Sequence, residues 1–551
     1  MAKVIRPIAA CFFALLPLLA APGGPLVISQ RSEPRTWNPV FAIDANTRDL
    51  LRLVHGRLGR IHGQSQQPEP HLAEAWQFSP NGKRCVVQLR RGVKFSDGHP
   101  FTADDVLFSF ALYQDPKLAS PQKDLLAPAG KPIQIRKLSA YSLELTFAEP
   151  FAPAARLFDG LAILPKHILE APYREGTLNR FWTLAEGLNR FAGLGPFVPA
   201  AYLPGKKLSL RPNPHFFRRG QPRLPGIEIL FVADQVAEML RFQRGEIDLL
   251  HRPLPKPFAT LGPTSAKLDL GASLDYHFLV FNLNPLPTAT DPGLRIRQSW
   301  FTRREFRQAV HLALDREAMI SLAFDGRATP LRSHVTPANR AWLADPKPPR
   351  RDLFQARALL AQSGFKQNGK QLLDPQGQPV RLTLAVNAAN NNQTRMAAIL
   401  QQDLADLGIE LQIAALEFRS LVDRILKKKD YDVALMALSS GDADPNAEMN
   451  IWPLGAPMHM WNLSAAQAPA PWEREVDKLM QQQRRELNLA SRRALYARVQ
   501  EIVARELPLV PLVSPNLLVA HKIELEGVRP SLLPPYALWN VEELRWSAPR
   551  R

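Results

Sequence analysis

Three stretches of the chain gather residue types that could do chemistry. "FSDGHPFTADDVLFSF" brings Asp97, His99, Asp104 and Asp105 close together, and "SSGDADPNAEMN" places Ser439, Ser440, Asp442 and Asp444 in one loop. "GFKQNGKQ", Gly364–Gln371, has two glycines and a lysine at the spacing of a phosphate-binding loop. In the first stretch Asp97, His99 and Asp104 could hold a metal ion, but no second ligand cluster lies nearby. The carboxylates there have a structural use instead. Thr102 stands as a helix N-cap, Asp105 three residues on completes a capping box, and Phe101 and Val106 form the matching hydrophobic staple. Asp104 sits in the first turn, where the helix dipole favours negative charge.

The other two stretches divide in the same way. In the phosphate-loop candidate Gln371 replaces the Ser or Thr that would hold Mg²⁺, and a helix precedes Gly364 where a strand is required. Gly364 reads as a C-cap, with "NG" turning into a strand. Asp442 and Asp444 could belong to a calcium loop, but Pro445 and the missing Asp-Gly continuation oppose it. The alternative is a turn in which Asp444 starts the next helix. No G-x-S-x-G elbow and no H-E-x-x-H occur, so neither an enzyme nor a metal or cofactor is expected.

The elements that must position these residues are of mixed type. "DVALMAL" reads as a buried strand with "SSGDADPN" at its carboxyl end, the place where α/β sheets bind ligands. Strand-like "IEILFV" and "RLTLAV" alternate with helical "TRMAAILQQDLADLG", which indicates an α/β protein. At 551 residues the chain exceeds one core, so two or three domains are expected.

Residues 1–24, with Lys3 and Arg6 before "IAACFFALLPLLA", read as a secretory signal peptide too short to span a membrane. Cys11 comes too early in it for a lipid anchor. Removing it leaves Cys85 alone in the strand pattern "KRCVVQL", without a disulfide partner. The formal charge of +18 raises nucleic acid as a partner, but the basic residues are spread along the chain and no nucleic-acid motif accompanies them. No nucleic acid is expected.

"LRRGVKFSDGHPFTADDVLFSF" resembles the signature of the family 5 extracellular solute-binding proteins, the oligopeptide and dipeptide receptors of bacterial ABC importers. "RTWNPVFAIDANTRDLLRLVHGRL", "MLRFQRGEIDLL" and "FRQAVHLALDREAMISLAFDGRATP" extend the likeness over nearly the whole chain, in order. The resemblance implies a two-lobed periplasmic-binding-protein fold of type II with an extra domain and a ligand cleft between the lobes. It implies domain I at 25–60, 193–272 and 510–551, domain II at 61–192, and domain III at 273–509. A periplasmic monomer would then deliver peptides to the permease subunits of an ABC transporter. The alternative cargo is an oligosaccharide, an opine-like compound or a metal chelate.

The resemblance also implies site residues. Asp442 matches the aspartate that receives a peptide's α-ammonium, with Asp444 as the alternative, because only Ala443 separates the two. Asn387 stands where some dipeptide-binding relatives carry an arginine, so a strict dipeptide length check is not implied; Arg395 is a substitute. Ser439 and Ser440 could donate to ligand carbonyls, and Trp452 and Trp461 could line the pocket or belong to the core.

Overall fold

The computed structural model describes residues 23–547 apart from 185–186, 286–291, 346 and 348. The expected signal peptide therefore lies outside the described residues but for Gly23 and Gly24, and Cys11 lies outside with it.

Two large sheets organise the chain. The eight-stranded one starts from Leu26–Gln30, which pairs in parallel with Ile227–Phe231 and with Leu249–His251. Val513–Lys522 enters antiparallel between Leu249–His251 and Ser265–Ala272. The five-stranded sheet runs Glu410–Leu416, Arg381–Asn387, Val433–Ser439, Asp275–Phe281, Leu509–Pro511. Its strands carry apolar side chains on both faces. Tyr276, Phe278 and Val280 enter one core, Leu279 and Phe281 the other. Val433 and Leu435 alternate with Ala434 and Met436 in the same manner. A strand covered on both sides reads as one continuous apolar run, which is why "DVALMAL" shows no polar alternation.

A third, four-stranded antiparallel sheet (Ala73–Phe78, Arg84–Leu89, Ser142–Thr146, Gln134–Ser139) packs against the helix Ala103–Gln114. Its core is continuous with that of the eight-stranded sheet. Cys85 is buried here, and burial pushes its thiol up to about 12, where it is inert. The helix begins as the sequence predicts. Thr102 Oγ1 accepts from Asp104 N at 3.3 Å, Asp105 Oδ2 accepts from Thr102 N at 2.9 Å, and Phe101 and Val106 are fully buried. After Gly92 the chain forms no strand and makes one bridge, Lys94 to Pro100. The reason is the turn that follows, where Gly98 has φ +91° and Phe95 N donates to His99 O at 2.8 Å.

Gly364 terminates helix Leu353–Gln362 with φ +85°. Phe365 N reaches Leu360 O and Gly364 N reaches Ala361 O, both at 3.0 Å, a Schellman cap. The glycine spacing there is a helix end followed by the hairpin Lys366–Asn368 and Gln371–Leu373.

The chain crosses between the two large sheets at neighbouring places, 272–275 and 511–513. The crossings are tied together. Ser273 N donates to Pro515 O at 2.9 Å, and Ser273 O accepts from Thr336 Oγ1 at 2.7 Å and Ser514 Oγ at 3.1 Å.

Candidate ligand-binding cleft

A cavity of about 950 Å³ opens where the carboxyl end of Val433–Ser439 faces helix Ala45–Val54, the turn Ala154–Arg156 and the segment 531–542. One wall is built on the helix. Asp44 caps it by accepting from Thr47 N at 2.8 Å. Leu50, Leu51, Leu53 and Val54 are buried, which leaves Ala45, Arg48, Asp49 and Arg52, at i, i+3, i+4 and i+7, to face the cavity. Arg52 grips Asp159 through two bonds of 2.9 Å. Burial opposes charge on Asp159, but Arg52 outweighs it and holds that carboxyl below its usual range. Asp49 has no such partner, and burial raises its carboxyl to about 6. Burial also brings Arg57 down to about 10; its Nε finds no acceptor among the described residues, and Nη1 reaches His55 O only at 3.5 Å.

The opposite wall is the loop after Val433–Ser439. Ser439, Ser440 and Asp442 line the cavity. The Asp442 carboxylate is taken from across the cleft by Arg156, whose Nε donates to Oδ2 at 2.6 Å and whose Nη2 pairs with Oδ1. Arg156 Nη1 also donates to Gln66 O at 2.8 Å. Burial raises the Asp442 carboxyl, while Arg156 pulls it the other way.

Asp444 is differently placed. Arg492 holds both its oxygens, at 2.7 and 2.6 Å, and each side chain is 6 % exposed. The same carboxylate accepts from Asn446 N at 2.9 Å and opens the short turn Pro445–Glu448. Asp444 therefore has a structural task.

A family model described as bacterial extracellular solute-binding proteins, family 5 Middle, matches residues 67–459. The chain belongs to that family. Among curated relatives of this family 5 protein, the oligopeptide-binding protein AppA of Bacillus subtilis is 25% identical over 95% of this chain and 91% of its own. Heme-binding protein A of Haemophilus influenzae is 24% identical over 90% and 87%. The ABC transporter substrate-binding protein CtaP of Listeria monocytogenes superposes with a TM-score of 0.78 at 22% identity, over 96% of this chain and 100% of that one. The fold is that of the type II periplasmic binding proteins, mixed α/β in two lobes. The family consists of extracellular solute-binding proteins that serve ABC transporters. No helix among the described residues is long and apolar enough to cross a membrane.

Three sequence-predicted site residues of this family 5 protein fall away from the cavity. Trp452 and Trp461 are core, at 0 % and 1 % exposure, with ring centroids 5.3 Å apart. Their indole nitrogens reach the carboxylates of Glu448 at 2.6 Å and Glu473 at 3.0 Å, so both rings are buried with their polar edges satisfied. Asn387 does not line the cavity either. Its Oδ1 accepts from Ala389 N at 3.1 Å, closing the turn that ends its own strand. The substitute Arg395 is exposed on helix Asn391–Ala405 and is not part of the cavity.

Sequence reasoning missed Arg156, the polar face of the first helix, Tyr276 and Glu448. The helical face was within reach: Arg48, Asp49 and Arg52 recur on the side opposite a leucine-rich stripe. Arg156 carries no local sign of its partner 286 residues away.

Proposed function

We propose that this family 5 receptor captures peptides in the cleft, with Asp442 receiving the α-ammonium, and hands them to the permease subunits of an ABC transporter. The observation that carries the reading is the seating of Arg156 on Asp442. A guanidinium already occupies the position an ammonium would take, on a carboxylate at the carboxyl end of a buried strand. An entering ammonium exchanges one charge-assisted pair for another, each worth about 1.5–3 kcal/mol. The displaced Arg156 is then available to ligand carbonyl or carboxylate oxygens. Asp444, held by Arg492, is not offered to the ligand. Ser439 supplies a donor beside the anchor, the Ser440 hydroxyl donates to Asp442 O and shapes the loop, and the extended ligand backbone pairs as an added strand. We assign one lobe to 25–60, 193–272 and 510–551, the extra domain to 61–192, and the second lobe to 273–509, with the protein acting as an exported monomer.

Native mass spectrometry of the purified protein, with denaturing release of whatever co-purifies, tests this. A ladder of peptide masses that disappears in Asp442→Asn supports the reading. A ladder unaffected by that variant removes Asp442 from the anchor role, and the absence of any peptide mass removes the peptide.

A second reading is an anionic, non-peptide solute. Arg48 and Arg57 line the cavity without a carboxylate bonded to them among the described residues, and a relative of comparable similarity is named for heme. A single non-peptide mass in the same experiment would select it.

A further inference from the structure

The wall that carries Asp442 holds two more polar groups, which the amine anchor does not use. Glu448, at the end of the turn Pro445–Glu448, is 8 % exposed. Its Oε2 receives Trp452 Nε1 at 2.6 Å and Tyr496 Oη at 2.7 Å, and His334 Nε2 stands 3.3 Å away. These contacts fix the carboxylate from behind. Burial opposes its charge, but His334, Tyr496 and Trp452 outweigh burial and keep the carboxyl below its ordinary range. Oε1 receives no hydrogen bond among the described residues, and no lysine or arginine pairs with Glu448 there. Tyr276, on strand Asp275–Phe281, is 2 % exposed, and its hydroxyl is buried without a partner among the described residues. Both residues line the cavity.

A hydroxyl buried with nothing to bond among the described residues, and a buried carboxylate whose ion-pair partner there is His334 rather than a lysine or arginine, each cost stability that a phenylalanine or a glutamine would avoid. The neighbouring acids are already paired, Asp442 with Arg156 and Asp444 with Arg492. Glu448 is the acid of this loop that no guanidinium reaches. We propose that Glu448 Oε1 and the Tyr276 hydroxyl form a cation subsite, which takes an ammonium or guanidinium group carried on the ligand's side chain. Such a group has the two or more N–H donors needed to meet both oxygens. The inference rests on the cleft being the ligand site, and it places a second cation anchor apart from Asp442.

Titration calorimetry of the full chain with the unblocked tripeptides Ala-Lys-Ala and Ala-norleucine-Ala tests it, since the two differ by the terminal ammonium. The lysine peptide binds at least tenfold tighter. Tyr276→Phe and Glu448→Gln each erase most of that preference and leave the norleucine peptide unchanged. Tyr276→Phe loses no internal hydrogen bond, so its unfolding temperature stays level with the wild type and it decides the matter even where Glu448→Gln fails to fold. Equal affinity for the two peptides, binding of neither, or a preference that survives Tyr276→Phe overturns the subsite. Asp442→Asn separates this from the anchor: loss of norleucine-peptide binding there, without any lysine preference in the wild type, sinks the subsite and leaves the cleft reading standing.

Discussion

The two walls of the cleft handle charge in opposite ways. The helical wall carries Arg48, Arg52 and Arg57 with Asp49 and Asp159, and among the described residues only the Arg52–Asp159 pair is closed within the wall. The loop wall carries Asp442, Asp444 and Glu448, each held in place from a different direction: across the cleft, from the long helix Leu489–Glu506, and from an aromatic floor. Neighbours in sequence thus have separate duties. A carboxylate whose two oxygens meet a buried guanidinium on the helix packed behind it is scaffolding; on the proposed reading Asp442, whose cation reaches it from across the cleft, is the one that exchanges it.

That contrast can be broken most forcefully at Asp444. Replacing it with alanine strands Arg492 in the interior, where Arg492 also stacks 4.9 Å over Trp342. A loss of about 3–5 kcal/mol in denaturant unfolding is expected. A loss below 1 kcal/mol would place Asp444 with the exchangeable acids instead.

On the helical wall, Asp49→Asn acts in the other direction. Its folded carboxyl titrates near 6, above the usual unfolded value of about 3.9. The folded state therefore binds more protons between those two values, and its stability falls as pH rises through that window. Asparagine removes the dependence. It should add about 1–2 kcal/mol at pH 7, discounted for the side chain's partial exposure, and nothing at pH 3, as followed by thermal unfolding across pH.

The smallest stability effect belongs to the bridge between the walls. Arg156→Ala should change unfolding free energy by about 1 kcal/mol or less, since Asp442 is 27% exposed and water takes over its solvation. The same variant frees the lobes to part, and small-angle scattering should report a larger radius of gyration. An unchanged radius would mean that other contacts hold the cleft. Among these, Arg484 and Arg485 pair with Glu149 at 2.8 and 2.7 Å.

What the sequence made legible follows the range of each interaction. The capping box at Thr102–Asp105 and the Gly364 cap are local, and each stands in the chain within a few residues of its partners. The strand Val433–Ser439 and its loop were readable because apolar runs and turn residues are local signals too. Trp452 and Trp461 were not assignable, since an indole serves core and pocket alike until its neighbours are known. Asn387 was placed by likeness at a strand end, but the local turn uses its side chain. The division of labour between Asp442 and Asp444 depends on Arg156 and Arg492, which lie far away in sequence.

The segment 509–522 gives Leu509–Pro511 to the edge of one large sheet and Val513–Lys522 to the interior of the other. Among the described residues Ser265–Ala272 has no other partner in its sheet than this late strand. During synthesis neither lobe can complete its sheet until that segment emerges, so the chain must stay uncommitted across most of its length. One late segment thus locks both large sheets at once.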